Sequence, residues 1–325
     1  MLPSCRSEGV ADMIYEQMDA QCFARGTFEP LFAKGSSPVL RYICKISPEA
    51  SQVHTRVMHA HEDLAELVFI FSGASRYLVH DRQVPVKSGD LLIYNRGVVH
   101  DEYAPRDSGI GYYCAGISDI LLPGLSENML IRPRKDYVFH TGAHSEEIRV
   151  LMEMMYDNLT RRVPNAERIC DSLMHALIDM VLLVVREQDT ESAADTAGGR
   201  AGTDEQAAER GPQEFSIQIK EYIDRHYREP LTLETIGTAL HLSPWYLSHL
   251  FKEMTGYSPF QYLARRRIGE AQTLLISTDA SITDIAFRVG YETQSYFNAQ
   301  FTKHVGMPPN QFRKKYVVQK KEKEK

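Results

Sequence analysis

The C-terminal third of this chain is written twice. Leu240, Leu247, Phe251, Gly256, Pro259, Gln261 and Tyr262 recur as Val289, Phe297, Phe301, Gly306, Pro309, Gln311 and Phe312. The offset is 49 residues for the first pair and 50 for the rest, so the second copy carries one extra residue in its turn. Each copy holds two short helical patterns, which makes it a tandem supersecondary unit of the helix-turn-helix kind. In the first copy Leu233, Ile236 and Leu240 mark a short helix, and His241, Leu242 and Ser243 turn the chain. Ser243 is placed to cap the following helix, and Pro244 suits its first position. That helix turns Leu247, Leu250, Phe251 and Met254 inward, and Trp245, Ser248, His249 and Lys252 outward. In the second copy Ile282, Ile285 and Val289 precede a turn over 290–293. Phe297 and Phe301 then face inward, and Gln294, Ser295, Tyr296, Asn298 and Thr302 are the outward candidates. Gly237 predicts a looser first unit, because glycine inside a helix costs about 1 kcal/mol relative to alanine.

An outward helix set across another by a tight turn fits the major groove of DNA, where each base pair shows its own donor and acceptor pattern. The helix expected over 262–275 separates the two units. A spacing of about 34 Å, one duplex turn, would let both read one face of a double helix. Arg265, Arg266 and Arg267 on that helix would either touch phosphate or pair with acidic neighbours. A plain helical bundle with a solvated polar face is the competing reading. Duplicated Gly, Pro and aromatic positions weigh against it.

Charge is uneven along the chain. Residues 214–325 hold 16 Lys and Arg against 12 Asp and Glu, net +4, while the remainder is net −10. A basic segment joined to an acidic one fits a nucleic-acid module carried by a second domain. The 325 residues allow two cores. The longest apolar run of the helical region, Met180 to Val185, stops at Arg186, far short of a membrane span, and the N-terminus has no signal-like apolar core. Cys5, Cys22, Cys44, Cys114 and Cys170 are scattered and odd in number, as expected of reduced thiols in the cytoplasm.

Five segments follow. Residues 1–130 form a sensor-like domain, whose part 28–118 alternates in the β manner and predicts a β-barrel. Residues 131–187 are a helical dimerisation segment, with Leu173, Leu177, Met180, Val181 and Val184 forming a broad apolar face. Residues 188–212 have almost no large apolar side chains and predict a flexible linker. Residues 213–317 are an all-α DNA-binding domain, and 318–325 a charged tail. The fold class is multidomain α+β.

The residues also resemble a family. Ile282, Ala286, Gly290-Tyr291, Ser295-Tyr296-Phe297, Phe301, Gly306, Pro309 and Phe312-Arg313 are similar to the C-terminal signature of AraC/XylS-type transcription regulators. Leu231 to Gly256 resembles that family's first helix-turn-helix. The likeness covers about a hundred residues. It implies a cupin-like N-terminal effector domain, a homodimer, promoter DNA as partner, a small-molecule effector such as a sugar or related metabolite, RNA polymerase as a further candidate partner, and no enzymatic activity. His249 and Ala299 stand where family members often place arginine. Ala299 cannot bond guanine, which shifts weight to Asn298 and Gln294 for adenine and to Trp245 for thymine methyl.

His59-x-His61-x4-Glu66-x6-Gly73, followed by Gly89-x7-Gly97-x2-His100, resembles the two cupin motifs. Asn95, Ala104 and Val53 depart from the usual proline, asparagine and glycine. His59 and His61 lie two apart on a strand and share a face. With Glu66 and His100 they make a donor set suited to Zn, Fe, Ni or Mn. The alternative is a polar effector pocket that needs no cofactor. His54 and His80 are expected at the surface or in turns. Tyr42, Tyr77, Tyr94, Tyr103, Tyr112 and Tyr113 would stack on a sugar ring or fill the core. No nucleophile-base-orienter set and no phosphate-binding glycine loop is present. Two competing functions remain: a metal-dependent cupin enzyme fused to a DNA-binding module, and an effector-free regulator controlled by a partner protein.

Overall fold

Alternating and continuous apolar runs between Val39 and His140 become eight strands. They are β1 (Val39–Ile46), β2 (Ala65–Ser72), β3 (Ala74–Val79), β4 (Arg82–Lys87), β5 (Asp90–Tyr94), β6 (His100–Asp101), β7 (Gly111–Ser118) and β8 (Val138–His140). The computed structural model describes residues 31–51, 57–79, 82–101, 109–134, 137–198 and 205–321. Cys5, Cys22, Val53, His54, His80, Tyr103 and Ala104 lie outside them.

The strands form a five-stranded sheet, β1-β7-β2-β5-β8, and a three-stranded sheet, β4-β3-β6. The expected barrel is thus a cupin-like pair of sheets, and among the described residues no ladder closes it. β8 pairs antiparallel with β5, so the sheet domain runs past residue 130 into the segment expected to be helical. Every residue of β5 and β7 is buried. The cause is cover on the large sheet: a helical hairpin packs on β1, β2, β7 and β8, while β4 of the small sheet contacts β2. A strand covered on both sides reads as a continuous apolar run and not as an alternation.

A single turn, α1 (Pro48–Ser51), follows β1. The hairpin is α2 (Ser145–Thr160) and α3 (Ala166–Gly198). Most of its apolar face is spent within the chain: Leu177, Val181 and Val184 of the expected set are buried with Met174 and Ile178, while Leu173 and Met180 are half-buried. α3 continues to Gly198 and α4 (Glu205–His226) begins soon after, so helix occupies most of the stretch 188–212 expected to be a flexible linker. Its alanines, glutamates and glutamines are good helix formers even without apolar surface to bury.

The tandem is α5 (Leu233–Leu240), α6 (Pro244–Thr255), α7 (Pro259–Ser277), α8 (Ile282–Arg288), α9 (Gln294–Val305) and α10 (Pro309–Lys321). The last helix extends to Lys321 and takes in the start of the expected charged tail. Ser243 caps α6 by accepting from the Tyr246 amide at 3.3 Å, with Pro244 next to it. Thr293 caps α9 in the same way. Gly256 and Gly306 end the two helices at φ 79° and 80°, the left-handed region in which glycine carries no Cβ penalty. Leu247, Phe251, Phe297 and Phe301 are fully buried in one core with Tyr262 and Ile285.

Gly237 reverses the looseness expected of the first unit. It is buried where α5 meets the turn, and a Cβ there would sit 2.5 Å from the Leu242 carbonyl oxygen. The Gly237 carbonyl accepts from the Leu242 amide at 2.9 Å. Glycine is what lets the turn close so tightly.

Candidate nucleic-acid interface and effector pocket

α6 and α9 each bury one side and expose the other. Trp245 is 75% exposed, and its ring stacks on His249 at 5.5 Å and 25°. Lys252 is exposed beside them, and Ser248 is half-buried. On α9, Tyr296 is 59% exposed, Ser295 and Thr302 are exposed, and Gln294 and Asn298 are half-buried. Tryptophan combines a large apolar body with a polar N–H and is enriched at contact surfaces.

Several of these groups are already oriented. The Thr283 hydroxyl donates to Gln294 Oε1 at 2.7 Å, which leaves the Gln294 amide nitrogen as its outward donor. The Thr302 hydroxyl donates to the Asn298 carbonyl at 2.8 Å. Asn298 Oδ1 is enclosed and has no hydrogen-bond partner among the described residues. A buried orphan acceptor costs about 1–3 kcal/mol unless something satisfies it. Asn298, Ala299 and Thr302 line a shallow depression together with Lys303 and Asn310. The sequence reading missed Lys303 and Asn310. Their signal was the Pro308-Pro309 turn, which folds Asn310 back beside α9.

The three arginines of α7 do not point to phosphate. Arg265 pairs with Asp101 through Nε at 2.8 Å. Arg266 is buried with Glu270 at 3.2 Å and Asp224 at 3.6 Å. Arg267 donates to the carbonyls of Tyr227 and Glu229 at 2.6 and 2.7 Å. Pairing with acidic neighbours holds for Arg265 and Arg266, whereas Arg267 is held by two backbone carbonyls, which neither reading foresaw.

In the sheet domain, His59, His61, Glu66 and His100 converge, with one ligand atom of each within 4.8 Å of the others. β2 supplies Glu66 and β6 supplies His100, while His59 bridges to His100 in antiparallel register. Three of the four are buried, and His61 is nearly so. His59 Nδ1 lies 3.1 Å from the Val57 carbonyl, and His100 Nδ1 lies 3.0 Å from that of Val98. With Nδ1–H donated to a carbonyl, each ring turns Nε2 toward the quartet, the second-shell arrangement that orients metal-binding histidines. Glu66 Oε2 lies 2.9 Å from His100 Nε2 and 3.6 Å from His61 Nε2. The Tyr42 hydroxyl donates to Glu66 Oε1 at 2.6 Å. Burial alone would raise the Glu66 carboxyl, but His61 and His100 together outweigh it and hold the group well below the usual carboxylate range. The donor set therefore fits a divalent transition metal, although nothing in it requires one.

Tyr42 is a residue whose part the sequence concealed, because only the fold brings β1 beside the quartet. Tyr94 stacks on His100 at 3.8 Å and 11°, a contact with the ring of a quartet member and not with open solvent. Of stacking on a sugar and filling the core, Tyr77, Tyr112 and Tyr113 do the second: all three are buried. Asn95, the departure from the cupin pattern, is buried and ties a neighbouring loop: Oδ1 accepts from the Leu130 amide at 2.9 Å and Nδ2 donates to the Ile131 carbonyl at 2.8 Å.

Comparison with known proteins adds two families. Residues 42–178 match the AraC-like ligand binding domain and residues 236–315 match a helix-turn-helix domain. The uncharacterized HTH-type transcriptional regulator YdiP of Escherichia coli K12 is 25% identical over 303 residues, which is 92% of this chain and 93% of that protein. The lactose operon transcription activator of Staphylococcus xylosus is 30% identical over 124 residues, covering 35% of this chain and 44% of that protein. Among solved structures, the C-terminal domain of AraT, a response regulator of Geobacillus stearothermophilus, is 40% identical, with 31% of this chain and 84% of that one covered and a TM-score of 0.31.

Proposed function

Because the chain belongs to the AraC-type transcription regulators, a DNA-binding family with its own ligand-binding domain, we propose that it reads a promoter sequence with α6 and α9 and answers to a small effector held at the His59, His61, Glu66 and His100 quartet. The observation that carries the DNA part is the exposed pair of outward faces, Trp245 to Lys252 and Gln294 to Thr302, on two helices capped and packed alike. Asn298 and Gln294 take adenine, and Trp245 takes thymine methyl. The effector is a sugar or related metabolite held in this pocket, where His59, His61, Glu66 and His100 would hold a divalent metal that supplies Lewis acidity for its oxygens. Support for the sugar is the lactose operon activator among the relatives, and support for the metal is the preset Nε2 orientation.

The regulator acts as a cytoplasmic homodimer, with RNA polymerase as a further candidate partner at the promoter. Among the described residues no helix is long and apolar enough to cross a membrane. Support for the dimer is a second, partly open stripe on α3: Ile169, Leu173 and Met180 are half-buried and Leu183 is 38% exposed. Neighbouring α2 adds Met154 at 44%.

Anisotropy titrations with cognate and random duplexes test the DNA reading. Asn298→Ala is expected to cost about 1–3 kcal/mol on cognate DNA and to relax the preference at one base position. Equal losses on cognate and random DNA would refute its assigned role.

A further inference from the structure

The strand pair that lines the quartet has a second face. His59 and His100 exchange backbone hydrogen bonds, each N–H donating to the other's carbonyl at 3.0 Å. Adjacent residues on a strand point to opposite sides. Met58 and Asp101, next to the two histidines, therefore face away from the quartet. There they meet α7, the helix that joins the two helix-turn-helix units.

Four contacts define the meeting. Arg265 donates from Nε and Nη2 to Asp101 Oδ2 at 2.8 and 2.5 Å, and Asp101 is buried. Gln272 Oε1 accepts from the Val57 amide at 2.9 Å, across 215 positions of sequence. A Cβ at Gly269 would overlap the Met58 carbonyl oxygen. Val57, Met58, Ala60, Leu78 and Val99 share one apolar core with Tyr262, Leu263 and Ile268 of α7. A glycine inside α7 weakens the helix relative to alanine. The close approach to Met58 accounts for it.

We propose that the His59–His100 ribbon is a two-faced coupler: α7 of the DNA-binding domain docks on its back, and an occupant of the quartet on its front stabilises that docked arrangement. This rests on the quartet being the ligand site. The ligand atoms already lie within 4.8 Å of one another while α7 is docked, so the docked arrangement is one in which all four can bind one ion. Coupling needs only a differential affinity, and it is reciprocal: whatever undocks α7 weakens the occupant by the same factor.

The test uses the full chain with zinc as the probe. Gly269→Ala forces α7 off Met58 while favouring the helix itself. Arg265→Gln removes the ion pair from the DNA-binding side, and it serves alone if the alanine variant loses its helical circular dichroism. Two quantities are read: zinc affinity by equilibrium dialysis, and hydrogen exchange of the Val57 amide, whose acceptor is on α7. In the wild type zinc is expected to slow Val57 exchange. In the variants Val57 exchange should rise at least about tenfold and zinc affinity should fall by about 5–150-fold, the usual range of such couplings. Variants that exchange Val57 as slowly as the wild type would show that α7 is not held there. Faster Val57 exchange with unchanged zinc affinity would overturn the coupling and leave the quartet reading intact. Zinc bound no better by the wild type than by His61→Ala would end the quartet reading, and the coupling with it.

Discussion

Gly237 and His304 show how single positions carry the helical domain. At Gly237 two effects oppose each other. Alanine would gain about 1 kcal/mol of helix propensity, but its methyl would press on the Leu242 carbonyl. Overpacking of this kind costs about 1–3 kcal/mol, and the contacted atom is backbone, so the clash wins. Gly237→Ala is expected to lower the urea midpoint; a higher midpoint would mean that the turn relaxes freely. At His304, burial pushes the imidazole down to about 4, and the charges of Arg265 and Lys303 push the same way. A histidine whose folded pKa lies below its unfolded value costs nothing above the unfolded value. As pH falls from about 6.5 toward 4, the unfolded chain takes up the proton first and stability drops. His304→Gln should flatten that part of the stability profile, measured by urea denaturation from pH 7 to 4. Identical slopes in both proteins would place the acid sensitivity elsewhere.

At the scale of elements, periodicity served the helices well and the sheet poorly. Ser243-Pro244, Gly256 and Gly306 are local signals with local causes, so both reading helices and their ends were legible. The outward set from Trp245 to Thr302 followed from the same spacing. The quartet was legible as a motif, because four residue types at fixed intervals need no fold to be noticed. Tyr42 and Asp101 were not, since strand order decides their neighbours and no local pattern records it. The break at β8 escaped for the same reason: three residues are too few to show an alternation. Apolar spacing alone also overstated the free face of α3. Leu177 belongs to the protomer's own core, so Leu177→Glu should unfold the hairpin, whereas Leu183→Glu should leave it folded. Sedimentation velocity checks the assignment: Leu183→Glu is expected to yield folded monomers. A Leu183→Glu dimer of unchanged strength would move the interface away from this stripe.

For the whole molecule, the described residues from Phe32 onward belong to one compact unit, and the sheet and helical domains share an apolar core through Val57, Met58 and α7. Of the three arginines of α7 only Arg265 is spent on this junction, while Arg266 and Arg267 are engaged within the helical domain, which leaves the proposed reading faces with uncharged side chains, Lys252 and Lys303. Binding should accordingly depend less on salt than a phosphate-gripping arginine cluster would make it, because each phosphate contact adds about 0.9 to the salt slope. The central claim is that α6 and α9 enter successive major grooves on one face of the duplex. Hydroxyl-radical footprinting of the bound promoter tests it most directly. Two protected patches about 10 base pairs apart on one face are expected per DNA-binding domain, with Trp245→Ala erasing one and Tyr296→Ala the other. A single patch, or one that both variants leave unchanged, would contradict it.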